Sequence, residues 1–454
     1  MKIKRILALF LAVVLLFGGC SAKKTETRKP EKITPFYEDE LPAIGNIYVT
    51  CDNPNLVGVI DWTTLTAVKE NYSKATVRVE WEEGDFNETE CEIKVRGNSS
   101  AEVAKKSYTV KFKEKTNFMN MGEAKKWALL ASPFDKSLLR VGLAFEYAEA
   151  LGIDYTSKFR YCKLWLNGEY RGIYVAMETV GEGRDRVDID LKNGDALFEC
   201  DLNRTEQGVT YITVDPNMRL QINEPEKPTR FQIGGYESFL YNVCRSVQSR
   251  DYTVYEQVID VDSFVDFFIF NELVKDIDFG EFSTRYYMKD GKLHAGPPWD
   301  MDLSMGNVSE MYYETKYDRY HNKPAVGTLP GYGTQSGDST EALWVQGNYY
   351  QFLVQDSYFR DRVRARWQEM KPVTDNLVMD NELGTNLMDR LLDAYGEDLR
   401  SNYSPEGANW TLAVQEGTYA DQSIPLTYEE NVEELRTWLI KRIAWLDTQF
   451  GVTE

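Results

Sequence analysis

The chemistry most plainly written into this chain is carried by four carboxylates, Asp276, Asp278, Asp300 and Asp302. The first pair closes the stretch Asn271-Glu272-Leu273-Val274-Lys275-Asp276-Ile277-Asp278, and the second stands in Pro298-Trp299-Asp300-Met301-Asp302-Leu303. A predicted hairpin around Asp290-Gly291 lies between them. An apolar helix ending in one pair and a hairpin returning to the other can bring both to one cleft, where like charges repel unless a cation sits among them. Hard oxygen donors at that density suit Mg2+, Mn2+ or Ca2+. A structural calcium site, or solvated Asp-rich turns, would be written with the same letters.

Opposite charge stands much earlier. Arg96-Gly97-Asn98-Ser99-Ser100 reads as a turn between strands, and Lys105, Lys106 and Lys111 lead into the strand that follows. A Gly/Ser turn can aim backbone N–H groups at phosphate oxygens while a strand lysine holds an ammonium beside them. An ordinary hairpin turn with solvated lysines reads the same way. Further on, a strand ending in Met177-Glu178 could offer backbone groups to adenine, or be a plain sheet strand. The parts run as phosphate-binding turn, strand Lys, packed helix, hairpin, connecting strand, helix to Asp278 and hairpin to Asp300. That is the order of parts in a protein kinase. No Gly-Lys-Ser/Thr follows the glycines of 312–340, which excludes a P-loop there.

Two kinds of scaffold must position these groups. From residue 47 to 112 the pattern alternates, with strand runs at 76–81, 91–95 and 108–112. A buried strand at 127–131 precedes a helix with Asp135 as its N-cap and Gly152 as its left-handed stop. Strands 160–166 and 172–177 join through Asn167-Gly168, a strong hairpin signal. Residues 181–232 are turn-rich, with strand content that resists assignment. Helices then dominate, at 236–250, 261–274, 356–370, 386–395 and 429–450, interrupted by a hairpin at 284–288 and 292–295 and a long loop at 312–340. The expected class is α+β, with a sheet-rich lobe over 46–234 and a mainly helical lobe over 235–454 that carries the acidic metal site.

Lys2, Lys4 and Arg5, the apolar run 6–17 and the junction Gly18-Gly19-Cys20 predict a secretory signal peptide over residues 1–19. The run is shorter than the roughly 20 apolar residues needed to span a bilayer. The junction resembles the bacterial lipobox, so Cys20 is expected to carry lipid, residues 20–45 to form a flexible tether, and the protein to sit on the outer face of the cytoplasmic membrane. Cleavage near Ala22 would instead leave it freely secreted. With 52 basic against 72 acidic residues the formal net charge is −20, which argues against a nucleic-acid partner. The other cysteines, Cys51, Cys91, Cys162, Cys200 and Cys244, contain no CxxC, and only two histidines exist, so neither a zinc site nor a dense disulfide framework is indicated.

As a linked set, RGNS at 96–99, WALLASPFDKSLLRVGLAFEYA at 127–148, LNGEYRGIYVAME at 166–178, NELVK at 271–275, PWDMDL at 298–303 and the terminal 438–446 resemble the CotH kinase family of spore-coat and secreted bacterial proteins. The loop VRGNSS is shorter than that family's Arg-Gly-Arg-Gly-Asn-Ser-Thr, and Lys-Lys-Ser-Tyr replaces Lys-Lys-Pro-Tyr. The resemblance implies a two-lobed atypical protein-kinase-like fold that uses ATP with Mg2+ or Mn2+ to phosphorylate Ser of an extracellular or cell-surface protein. It implies Asp278 as the catalytic carboxylate, Asp300 as a metal ligand with the neighbouring Asp302 supporting it or holding a second ion, and Arg96, Lys106 and Lys111 as phosphate contacts. A kinase-like scaffold without turnover, serving adhesion, is the alternative from the binding class. Glycan hydrolysis would use two carboxylates and aromatic platforms, yet has no need of a Lys-bearing Gly/Ser loop.

Overall fold

Alternation of buried and exposed residues organises the first half of the chain, and it does so by closing a barrel. A computed structural model describes residues 41–57, 61–202, 208–215, 218–276, 278–307, 339–340, 349–403 and 427–451. Strands β1 (Gly45–Cys51), β2 (Ser73–Glu80), β3 (Phe86–Arg96), β4 (Ser107–Asn117), β5 (Glu123–Leu130), β6 (Phe159–Leu166) and β7 (Glu169–Glu178) are ordered β1-β2-β3-β4-β5-β7-β6. Parallel pairing of β1 with β6 seals the ring. Every second residue points inward, so Ile47, Val77, Ile93, Val110, Trp127, Leu164 and Tyr174 form one apolar core. Helix α1 (Trp62–Glu70) links β1 to β2, and its cap Asp61 accepts from the N–H groups of Thr63 and Thr64. Asn167-Gly168 turns the β6–β7 hairpin with both residues at positive φ, +53° and +82°, as a type I′ turn requires.

Helix α2 (Arg140–Ala150) starts five residues after Asp135, which corrects the expected N-cap. The Asp135 carboxylate is buried and accepts from the backbone of Ser137 and Arg140, and the Arg140 guanidinium pairs with it at 2.7 Å. Gly152 does follow the helix in the left-handed region, at φ +70°.

A second sheet runs β12-β11-β8-β10-β9, from β8 (Ala196–Asp201), β9 (Tyr211–Asp215), β10 (Met218–Glu224), β11 (Phe282–Lys289) and β12 (Lys292–Ala295). It takes strands from both sides of residue 235. Between them lie α3 (Arg230–Gln248), α4 (Tyr252–Tyr255) and α5 (Val261–Val274), and after them α6 (Tyr350–Leu353), α7 (Ser357–Asp375), α8 (Leu387–Tyr403) and α9 (Tyr428–Phe450). Helix α3 begins earlier than its periodicity suggests because Thr229 and Gln232 form a capping box. Helix α5 has the expected bounds, with Asp260 as N-cap and Lys275 closing it in the left-handed conformation. It is buried almost all round, and its Glu272 meets Arg442 of α9 in a fully buried pair at 3.1 Å.

The α+β class, with sheets first and helices after, is as expected. A closed seven-stranded barrel is not what the two-lobe expectation described, because closure depends on β1 pairing with β6, a contact no local pattern encodes. The described residues fall in one compact unit, 35–454. The expected signal segment, Cys20, most of the tether and most of the loop 312–340 lie outside the described residues. Among the described residues no helix is long and apolar enough to cross a membrane, and Cys51, Cys91, Cys162, Cys200 and Cys244 are free and buried.

Candidate functional site

The open end of β3 and β4, helix α1, the second sheet and the turn 299–303 line one cleft of about 1030 Å³. The barrel wall is a ladder whose register decides which charges reach it. Arg96 pairs with Ser107 and Lys94 with Thr109, and all four line the cleft. The next row outward pairs Glu92 with Lys111, whose ammonium sits 3.0 Å from the Glu92 carboxylate. Lys111 therefore shares the outer face of the cleft residues without lining the cleft itself, its ammonium 4.9 Å from the ring of the cleft residue Tyr72, while Lys94 one row further in does line it. Lys106 has the opposite parity. Its ammonium is fully buried and donates to the carbonyls of Ala101 (2.6 Å) and Val103 (3.2 Å), and burial pushes its pKa down to about 8. Lys105 donates to the carbonyls of Ala131 and Ile173, and desolvation brings it to about 7. Of the expected phosphate contacts, the cleft contains Arg96 and neither Lys106 nor Lys111.

The connecting strand is displaced in the same way. Met177 is buried between β5 and β6, and the Glu178 carboxylate, raised by burial, accepts from the Lys158 N–H at 3.0 Å. The residues of this strand end that line the cleft are Thr179 and Val180.

Asp278, Asp300 and Asp302 all line the cleft, whereas Asp276 is buried and does not. Asp300 lies at φ +68°, and Lys275, Ser283 and Met305 close by are also left-handed, at +48°, +55° and +49°. Such strain in non-glycine residues persists only where the surroundings hold it, and it clusters at functional sites. Here the hold is visible. The Met305 N–H donates to the Val274 carbonyl at 2.6 Å, Arg140 donates to the Ser304 carbonyl at 3.0 Å, and Asn307 donates to the Phe134 and Asp302 carbonyls. At Gly306, φ +79°, a Cβ would lie 2.5 Å from the Trp438 ring of α9.

Solvent reaches Asp300, yet it sits deep in a concave wall. Desolvation and then the Asp278 charge raise its pKa, against Arg96 and Arg285. Asp302 is raised well above the ordinary value by desolvation, then by Asp300, Asp135 and Asp278. Among the described residues no three His, Cys, Asp or Glu side chains are grouped closely enough to hold a metal by themselves. The donor set still suits Mg2+ or Mn2+, because such ions are commonly bound by one or two carboxylates plus phosphate oxygens and water. Mutually repelling carboxylates in a desolvated cleft are the electrostatic match for a cation.

Two charged residues of the cleft that the sequence reading did not single out, Arg285 and Glu199, line it together with Trp299 of the Pro298-Trp299-Asp300 motif. Arg285 and Glu199 are register partners on β11 and β8 and form an ion pair at 3.0 Å. The guanidinium groups of Arg96 and Arg285 lie 4.9 and 5.1 Å from the Trp299 ring centre. Burial lowers the Arg96 pKa, with Asp300 opposing. Arg285 stands on a strand whose hairpin was legible, but its pairing with β8 joins segments more than eighty residues apart, and no local signal marks that.

The cleft thus holds acidic groups able to take a cation beside guanidinium groups able to take an anion. A comparison with curated proteins finds no match. A family model described as CotH kinase protein matches residues 93–446, a span that contains every described residue of the acidic turn and the Arg96 turn. That membership suggests a kinase-like protein; the chain belongs to the CotH kinase protein family.

Proposed function

We propose that this chain is an exported protein kinase of two-lobed, kinase-like organisation that transfers the γ-phosphate of ATP to a serine of an extracellular or cell-surface protein. The observation that carries the reading is the presence in one cleft of Asp278, Asp300 and Asp302 together with Arg96 and Arg285. Asp278 takes the proton of the acceptor hydroxyl as its Oγ bonds to the γ-phosphorus, while the bond from that phosphorus to the β–γ bridging oxygen breaks and ADP leaves. Asp300 and Asp302 would hold Mg2+ or Mn2+, which when bound neutralises charge on the phosphate oxygens. Arg96 steadies the same oxygens, and Thr179 and Val180, which line the cleft just beyond the expected Met177 and Glu178, would meet the adenine.

A transfer assay with γ-labelled ATP and Mn2+ on the full mature chain, scored as autophosphorylation or transfer to an added protein, tests this reading. Metal-dependent phosphoserine is expected. ATP binding without any transfer would instead favour a scaffold. The lipidated Cys20 would keep the protein on the outer face of the cytoplasmic membrane, so Cys20→Ala is expected to leave the membrane fraction. If that variant fractionates with membranes as wild type does, the anchor is not Cys20.

A further inference from the structure

Arg285 is 7 % exposed, lines the cleft and donates from Nη2 to Glu199 at 3.0 Å, yet its Nε and Nη1 have no hydrogen-bond partner among the described residues. A buried guanidinium with unused donors is unfavourable unless something supplies acceptors. Glu199 offsets one charge, but Arg96 brings a second guanidinium to the same Trp299 ring. Both guanidiniums lie close to one ring in the cleft wall, at 4.9 and 5.1 Å, and although Glu199 and Asp300 offset part of their charge, the unused donors of Arg285 favour an anion there.

The acidic groups opposite decide which anion. A bare carboxylate of a peptide would be repelled by Asp278, Asp300 and Asp302. A nucleotide polyphosphate arrives with its divalent cation, so its oxygens can meet the guanidiniums while the cation meets the carboxylates. We propose that Arg285 is a phosphate-binding residue of this cleft, holding with Arg96 the polyphosphate oxygens of a nucleotide. The inference rests on the kinase reading above for the identity of the nucleotide, but not for the anion site itself.

Calorimetric titration of the full mature chain with Mn–ATP, inorganic tripolyphosphate in the presence of Mn2+, and adenosine tests it, using wild type, Arg285→Gln and Arg285→Lys. Arg285→Gln is expected to weaken ATP and tripolyphosphate by about ten- to a hundredfold, the scale of a lost charge-assisted contact, with adenosine unchanged. Arg285→Lys keeps the charge without the planar donors and should recover part of that loss. A folded Arg285→Gln that binds tripolyphosphate as wild type does overturns the proposal. If that variant does not fold, a folded Arg285→Lys with wild-type tripolyphosphate affinity overturns it equally. Wild type that binds ATP and transfers phosphate while both variants bind normally sinks this assignment alone. Wild type that binds tripolyphosphate through Arg285 but never transfers phosphate sinks the kinase reading alone.

Discussion

The two walls of the cleft hold their charges in different ways. On the barrel wall, Arg96 and Lys94 stand in a regular β3–β4 ladder, and strand parity together with the position along the strand decides whether a cation meets the cleft, the barrel interior or open solvent. On the opposite wall, the turn carrying Asp300 and Asp302 is irregular and partly left-handed, and its shape is set by Arg140, Val274, Asn307 and Trp438 reaching in from elsewhere. The lesson is about coupling. A change on the ladder should act on one charge at a time, whereas a breach in the supports of the turn should move several carboxylates together.

The largest effect is expected at Arg140. Arg140→Gln leaves the Asp135 carboxylate buried without its cation and releases the Ser304 carbonyl, which should cost about 3–5 kcal/mol of stability. Urea unfolding reads this directly, and a loss under about 1 kcal/mol would mean the turn is held by something else. Gly306→Ala should cost about 2–3 kcal/mol, since it adds a Cβ against Trp438 at a left-handed position. It should also lower phosphate transfer more than a ladder change of equal thermal effect does.

On the barrel side, Lys105 makes the comparison testable by pH. Desolvation lowers its folded-state pKa from 10.5 to about 7, so between those values the unfolded chain binds more protons and stability rises with pH. Relative to Lys105→Met, wild type should gain about 2 kcal/mol between pH 7 and pH 9, read by denaturant unfolding at each pH. A flat difference would mean the buried amine is not the charge at issue. The smallest effect belongs to Lys111. Its pair with Glu92 is exposed, so Lys111→Ala should change stability by less than about 1 kcal/mol and leave ATP affinity as it was. A large loss of ATP binding would bring Lys111 back into the site.

Much of this was legible from the chain, and what was not has a common cause. Helix α5, the two type I′ hairpins and the strands β2 to β4 followed from periodicity, caps and Asn-Gly or Asp-Gly turns. The cleft residues Arg96, Asp278, Asp300 and Asp302 were found because motif and charge mark them. Lys106 and Lys111 were misplaced because spacing names a strand without fixing its parity and extent relative to a cleft that other elements close. Arg285 and Glu199 were missed because β8 and β11 become neighbours only through the sheet order.

The central claim, that Asp278 and Asp300 perform different tasks in one cleft, is tested most directly by pairing Mn–ATP titration with single-turnover transfer on Asp278→Asn and Asp300→Asn. The prediction is that Asp278→Asn binds Mn–ATP near wild type while its transfer rate falls by at least about 10²-fold, and that Asp300→Asn loses metal-dependent ATP binding together with turnover. Reversal of that pattern would exchange the two roles, and unchanged transfer in both variants would contradict the account.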